Sequence, residues 1–169
     1  MQRKTFHRAL LATIAAGLLP LAAHAQVTKL TLGHGAAPAN PRHEAAMKFA
    51  ESLKAKTGGR IEVQVAPSAQ LGDDAAMVTA LRTGALDMSA NSQGAVANAV
   101  PEYAAFGMPF LFANAGQAFK VLDGPLGKEL ADKSAAKGLV VLGYWDNGIR
   151  HMTNSKRPIS KVEDLKGLK

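Results

Sequence analysis

The sequence contains no cysteine among its 169 residues, and aromatic residues make up only 5% of it. Without cysteine, disulfide bonds, thiol catalysis and cysteine-ligated zinc are excluded, so stability must come from an apolar core, for which the 47% hydrophobic content is sufficient. Lysine and arginine are interspersed among aspartate and glutamate. The chain therefore lacks the focused basic patch and the stacking platforms of nucleic-acid-binding proteins, and we expect no nucleic-acid partner.

The sequence also lacks an apolar run long enough to cross a membrane as a helix. The run over residues 9–23 has about 15 residues, whereas a spanning helix needs about 20. Three basic residues and no acidic one precede the run, and Ala23-His24-Ala25 follows it, which is typical of a cleavable secretory signal peptide. We expect residues 1–25 to be removed in the periplasm, which lowers the formal net charge from +7 to +4, with no membrane insertion afterwards.

Along the rest of the chain, segments whose apolar residues alternate as in a strand are followed by segments whose apolar residues have helical spacing. Alternate apolar residues in 60–66 predict a strand, whereas apolar spacings of three and four in 41–57 predict a helix. Residues 91–100 fit either a loop or a helix, and the apolar residues 101–112 are predicted to lie in the core. The predicted strands are 27–33, 60–66, 86–90 and 139–144, with helices at 41–57, 73–84, 115–122 and 126–137. This order predicts an α/β fold with a mostly parallel sheet covered by helices.

The loops that follow the strands hold the candidate site residues, because ligands of parallel sheets bind beyond the carboxyl ends of the strands. Asp73-Asp74 opens a helix, where a carboxylate is favoured by the helix dipole, and either acid is also suited to bind a ligand hydroxyl. Arg150 follows an Asn147-Gly148 turn. Its planar guanidinium fits a carboxylate, although a surface ion pair with Asp146 explains its presence equally well.

One alternative is an α/β hydrolase. Ser92 lies in Asn91-Ser92-Gln93-Gly94, which resembles the end of a nucleophile elbow, and Asp146 and His151 follow later in the chain. Ala90, however, occupies the position of the first glycine of that motif. A periplasmic hydrolase that uses Ser92 is therefore the alternative to a binding function.

Two further patterns are incomplete. Gly33-His34-Gly35 begins a dinucleotide fingerprint, but Pro38 replaces its third glycine and no acidic residue ends the next strand. The histidines show no metal-ligand spacing, and His43-Glu44 is interpreted as a solvated pair in the first turn of a helix. We expect neither a metal nor another cofactor.

Several segments, in order along nearly the whole mature chain, resemble the dicarboxylate-binding solute-binding subunits of tripartite ATP-independent periplasmic (TRAP) transporters. Gln70-Leu71-Gly72-Asp73-Asp74 and Asp164-Leu165-Lys166-Gly167-Leu168-Lys169 are distinctive in combination. The other matching segments are residues 30–33, 59–63, 81–88, 101–112, 147–154 and 158–163.

The resemblance implies a type II periplasmic-binding-protein fold with two α/β lobes. Residues 26–148 would form the first lobe and residues 149–169 the start of the second, most of which would lie beyond this chain. Such proteins are not enzymes: they enclose a small organic acid, a C4-dicarboxylate or a related carboxylate, and deliver it to a membrane permease driven by an ion gradient. Because the ligand is held between lobes, residues 26–169 alone are expected to bind no organic acid tightly.

The resemblance also assigns ligand contacts residue by residue. Arg150 falls on one of the family's carboxylate-binding arginines, and Asp74 on a position that contacts the ligand in some members. His34, Asn91 and Ser92 occupy loops that line the cleft. Ser92 and Ala95 stand where sialic-acid binders carry a glutamate and an arginine, which argues against sialic acid as the ligand.

Overall fold

The computed structural model describes residues 26–148 and 152–168 of the chain. The predicted signal peptide, residues 1–25, lies outside the described residues, as do Arg150 and His151. The division into a first lobe at 26–148 and a second from 149 onwards stays a prediction.

A three-stranded parallel sheet forms the framework of the chain. Its strands are β1 (Thr28–His34), β2 (Ile61–Ala66) and β3 (Met88–Ala90), in the order β2-β1-β3. β1 therefore lies in the centre, paired with β2 from Thr28↔Ile61 to Gly33↔Ala66 and with β3 from Leu32↔Met88 to His34↔Ala90. The three predicted strands in this region are confirmed, and their carboxyl ends meet at one edge.

Two helices connect these strands. α1 (Pro41–Lys56) leads from β1 to β2, and α2 (Asp74–Thr83) leads from β2 across β1 to β3. Parallel crossovers are right-handed, and these two run in opposite directions across the sheet, so they place α1 and α2 on opposite faces. Gly33 of β1 faces α2, since a Cβ there would lie 2.7 Å from Met77 Sδ.

The ends of both helices follow the local signals in the sequence. The Asn40 side chain accepts a hydrogen bond from the Arg42 amide at 2.9 Å, and Asp73 Oδ1 accepts one from the Ala76 amide at 2.8 Å. Both are N-caps of the kind that Asn and Asp favour. Gly84 ends α2 in the left-handed conformation at φ 74°, which glycine adopts without steric cost.

The second half of the described chain is mainly helical. It contains a short α3 (Gln93–Val96), a 3-10 helix (Pro101–Gly107), α4 (Ala115–Leu122) and α5 (Pro125–Ala135). Residues 91–100, which fitted either a loop or a helix, thus include one helical turn. Val100, Tyr103 and Leu130 form the buried centre of this part.

The hydroxyl groups of Tyr103 and Tyr144 lie 3.3 Å apart, and burial together with this contact raises the pKa of Tyr144.

The strand predicted at 139–144 is wrong. The segment forms no regular element and belongs to no sheet among the described residues. Leu139 is buried, whereas Val140 and Leu142 are 81% and 72% exposed. An apolar run supplies strand propensity but not the neighbouring strand that must accept its hydrogen bonds, so the prediction failed on a non-local requirement.

The prediction that residues 101–112 lie in the core is only half right. Tyr103 is buried, and the rings of Phe106 and Phe112 stack with centroids 6.1 Å apart. Phe110, in contrast, is fully exposed and has a positive φ of 61°. A positive φ is uncommon for a bulky residue, and apolar content alone does not reveal it. None of the helices within residues 26–148 and 152–168 has the length and apolar character that a membrane span requires.

Candidate ligand-binding site

Polar side chains collect where the carboxyl ends of the three strands meet. They come from two sides of this edge. Asp74 at the start of α2 adjoins Asn91 and Ser92 after β3, while His34 at the end of β1 adjoins the first turn of α1. The topology thus brings four of the five sequence-predicted site residues to one edge of the sheet. Arg150, the fifth, lies outside the described residues.

On the side formed by α2 and the end of β3, Asp74 and Ser92 are joined by two hydrogen bonds. Asp74 Oδ2 accepts hydrogen bonds from the Ser92 amide at 3.0 Å and from Ser92 Oγ at 2.8 Å. The other oxygen, Oδ1, points toward the loop after β1, since it lies 3.4 Å from where a Cβ on Gly35 would be. Ser92 therefore fixes the carboxylate, and one oxygen is left facing the neighbouring loop.

Asn91 carries an unsatisfied acceptor at the same edge. Its Oδ1 is buried and has no hydrogen-bond partner among the described residues, as is also true of Ser89 Oγ. A buried polar atom without a partner is costly, so such atoms usually meet a water molecule or a ligand.

His34 is fully buried, and both of its ring nitrogens are engaged. Nδ1 accepts a hydrogen bond from the Ala36 amide at 3.2 Å, so the ring proton must reside on Nε2. Nε2 lies 3.1 Å from His43 Nδ1 and donates to it. Burial is the main reason why the pKa of His34 is lowered; the electrostatic interactions with His43 and Arg42 lower it further, while Asp74 opposes the effect.

His43 and Arg42, in the first turn of α1, are site residues that the sequence analysis missed. The interpretation of His43-Glu44 as a solvated pair is wrong for His43, which is half-buried against His34, although Glu44 is exposed. Arg42 Nη2 donates a hydrogen bond to Asn147 Oδ1. Both residues lie in the first turn of a helix that follows a loop at the carboxyl end of a strand. Ligands bind beside such loops, so this position in the sequence could have indicated site residues.

The loop that leads toward Arg150 lies beside this turn. Asn147 contacts Arg42, and the Gly148 amide donates to Asp146 Oδ1 at 2.9 Å, with Gly148 at φ 77°. The predicted Asn147-Gly148 turn stays a prediction, since it would continue into residues that lie outside the described part of the chain. The contact with Arg42 places Asn147 at the same edge as His43 and His34.

The geometry does not favour the hydrolase alternative. A serine nucleophile needs a histidine base, whereas Ser92 Oγ donates to the Asp74 carboxylate. The described residues contain no group of three or more histidine, aspartate or glutamate side chains placed to hold a metal ion. The arrangement suits hydrogen bonding to a bound molecule.

A comparison with protein families identifies the chain. The model of the bacterial extracellular solute-binding proteins, family 7 (DctP), matches residues 32–169. The chain belongs to this family. The hydrolase alternative is accordingly not supported, because DctP proteins are solute-binding proteins.

Relatives and solved structures agree with this assignment. The chain is 37% identical to the 2,3-diketo-L-gulonate-binding periplasmic protein YiaO of Escherichia coli, over 83% of this chain and 43% of that protein. It superposes with TM-score 0.80 and 38% identity on the sugar acid binding protein DctPAm of Advenella mimigardefordensis in complex with galactonate, over 83% of this chain and 45% of the other. For a TRAP solute-binding protein of Sulfurospirillum deleyianum with bound succinate, the TM-score is 0.77, the identity 35% and the coverage 84% and 46%.

The resemblance to TRAP solute-binding subunits is thus confirmed, and so is the α/β fold of the periplasmic-binding-protein type. The chain spans less than half the length of each of these three relatives. YiaO and the Sulfurospirillum protein are named as periplasmic binding proteins, and all three relatives carry small organic acids in their names or as bound ligands.

Proposed function

We propose that this protein captures a small organic acid in the periplasm and delivers it to the membrane permease of a TRAP transporter, without chemical change to the ligand. The observation that carries the proposal is the unsatisfied polar edge of the sheet, above all the buried Asn91 Oδ1 that lacks a partner among the described residues. Membership of the DctP family supports it, as do relatives that bind galactonate and succinate.

The site residues divide by chemistry. Arg150 is proposed to hold the ligand carboxylate through its planar guanidinium, with Arg42 as a second cation nearby on α1. Asp74 and Asn91 accept hydrogen bonds from the rest of the ligand, and Ser92 holds Asp74 in position. His34 contributes through His43, because both of its own ring nitrogens are engaged within the protein.

The remaining parts of the proposal follow from the same assignment. Residues 1–25 act as a cleavable signal peptide that sends the chain to the periplasm, as the periplasmic relatives suggest. The protein acts as a binding protein and not as an enzyme, and it uses no cofactor. Its partners are the organic acid and the permease subunits.

Calorimetric titration of the full-length secreted protein with a panel of organic acids tests the proposal. We expect at least one carboxylate to bind, and Arg150→Ala to weaken its binding at least tenfold, about 1.4 kcal/mol.

Arg60→Ala is the matched control, because Arg60 is exposed just before β2, at the opposite end of the sheet. If no carboxylate binds, the proposed function is wrong. If Arg150→Ala leaves the Kd unchanged, Arg150 is a surface residue paired with Asp146.

A further inference from the structure

The first turn of α1 presents a hydrogen-bond donor whose proton is fixed by the protein. The Ala36 amide donates to His34 Nδ1 at 3.2 Å, and His34 Nε2 donates to His43 Nδ1 at 3.1 Å. His43 must therefore carry its own proton on Nε2. Because the two nitrogens of an imidazole point to different sides of the ring, the Nε2–H of His43 faces away from His34.

This Nε2–H has no acceptor in the part of the chain that the structure describes, whereas Nδ1 of the same ring is engaged by His34. His43 is half-buried where α1 begins beside the carboxyl ends of the strands, and its neighbour Arg42 reaches Asn147 at the same place. Ligands of parallel sheets bind at this edge, so the unused donor is available to a bound molecule.

The burial of His34 indicates that the pair serves to present this donor. An apolar side chain at this fully buried position would avoid the cost of removing an imidazole from water. Burial lowers the pKa of His34, which keeps its ring neutral, with the proton on Nε2, at neutral pH. His43 is thereby held in one orientation and one tautomer before a ligand arrives, so that little side-chain entropy is lost on binding.

We propose that His43 is a specificity-determining residue that donates its Nε2–H to an acceptor oxygen of the bound organic acid, and that His34 is the positioning residue that fixes this donor. This inference rests on the proposed function and deepens it. A carboxylate, keto or hydroxyl oxygen satisfies the donor. An ammonium group in the same place would oppose one N–H to another, because Nδ1 is engaged and the ring has no acceptor to offer.

Two substitutions of His43 separate the ligand contact from the contact with His34. The side-chain amide of Asn reaches the position of Nδ1, and that of Gln reaches the position of Nε2. His43→Asn keeps an acceptor for His34 but loses the outer donor, so affinity should fall about fivefold or more while stability stays close to that of the wild type. His43→Gln keeps the outer donor and leaves His34 Nε2 without an acceptor, so it should be less stable in urea unfolding yet bind within about twofold of the wild type.

The role of His34 is tested through the tautomer of His43. His34→Gln keeps a donor to His43 Nδ1, whereas His34→Asn keeps only an acceptor for the Ala36 amide. Long-range proton–nitrogen correlation spectra should show His43 protonated on Nε2 in His34→Gln and in both tautomers in His34→Asn, and affinity should fall only in His34→Asn. If His34→Asn leaves both the tautomer and the affinity unchanged, His34 does not position His43.

Calorimetric titration of the full-length secreted protein with galactonate and succinate measures these affinities, and the tightest-binding acid of the wider carboxylate panel is the probe if neither binds. Equal affinities of the wild type and His43→Asn overturn the inference, because the ligand then makes no use of this donor. A loss in His43→Gln that equals or exceeds the loss in His43→Asn also overturns it, because the effect is then structural. Both of these results leave the carboxylate-binding function standing, whereas the failure of every acid to bind the wild type overturns the proposed function itself.

Discussion

Nε2 of His34 lies 3.1 Å from Nδ1 of His43, and the backbone amide of Ala36 donates to the other nitrogen of His34. The two contacts together fix the protonation of both rings. His34 carries its proton on Nε2, and His43 must accept at Nδ1 and carry its own proton on Nε2. The loop after β1 therefore aligns a neutral histidine pair at the edge of the site.

The first prediction concerns the dependence of stability on pH. The pKa of His34 is lowered from its ordinary value of 6.5, mainly by burial, so the unfolded chain binds more protons than the folded one at mildly acidic pH. The contribution of His34 is fully present above pH 6.5 and is lost as the pH falls below that value toward the lowered pKa. The free energy of unfolding should fall by at most about 1.4 kcal/mol per pH unit for this one proton.

Urea unfolding of wild type and His34→Gln between pH 8 and pH 5 measures this effect. The variant should be less stable at pH 8 and lose less stability on acidification. If the two curves of unfolding free energy against pH run parallel, His34 is not the group responsible.

The second prediction concerns the tautomers. Long-range proton–nitrogen correlation spectra at pH 8 should show both His34 and His43 protonated on Nε2. A proton on Nδ1 of His43 would contradict the hydrogen-bond chain from Ala36 through His34. The variant His43→Gln serves as the assignment control, since it removes one imidazole and keeps a polar side chain in the first turn of α1.

Much of the fold could be predicted because its signals are local. Asn40, Asp73 and Gly84 each act through hydrogen bonds or backbone angles within a few residues, and the helices begin and end where these residues predict. The segment 139–144 shows the limit. Its apolar composition suits a strand, but a strand exists only with a neighbour, and composition does not supply one.

The site could be predicted only in part for a similar reason. Parallel-sheet topology indicated that Asp74 and Ser92 would share one edge, and they are in contact. The pairing of His43 with His34 depends on how the loop after β1 folds back onto α1, and no spacing rule reveals it. The chain position of His43 favoured a solvated side chain, and tertiary packing decided otherwise.

The third prediction uses Gly35 to cover the free oxygen of Asp74. A methyl group at Gly35 would lie 3.4 Å from Asp74 Oδ1, in ordinary contact, and would obstruct a ligand hydroxyl. Gly35→Ala should leave the protein folded, since Gly35 is exposed and is not among the glycines with positive φ. The loss of one hydrogen bond is worth about 0.5–1.5 kcal/mol, so affinity for the bound acid should fall about two- to tenfold.

Gly94→Ala is the control for this prediction. Gly94 is exposed, lacks a positive φ, and would bring its new Cβ within 4 Å of no other atom. Calorimetric titration should give a wild-type Kd for this variant. Equal affinities of the two variants would mean that the ligand does not approach Asp74 past Gly35.

The fourth prediction concerns the contact between the sheet and α2. A Cβ at Gly33 would lie 2.7 Å from Met77 Sδ, closer than packed atoms tolerate, with Leu71 Cδ1 at 3.4 Å and Leu86 Cδ2 at 3.6 Å. Met77 is fully buried, so its thioether cannot move aside freely. Gly33→Ala should therefore lower the free energy of unfolding by about 1–3 kcal/mol through overpacking.

A double-mutant cycle in urea unfolding isolates that contact. Met77→Ala alone should cost about 2–5 kcal/mol, because it empties part of the core. In the double variant the methyl group that Gly33→Ala introduces would occupy space that the Met77 side chain has vacated, so the combined loss should be smaller than the sum of the single losses by about 0.5–3 kcal/mol. Strict additivity would show that the cost of Gly33→Ala lies in the backbone of β1 and not in its packing against α2.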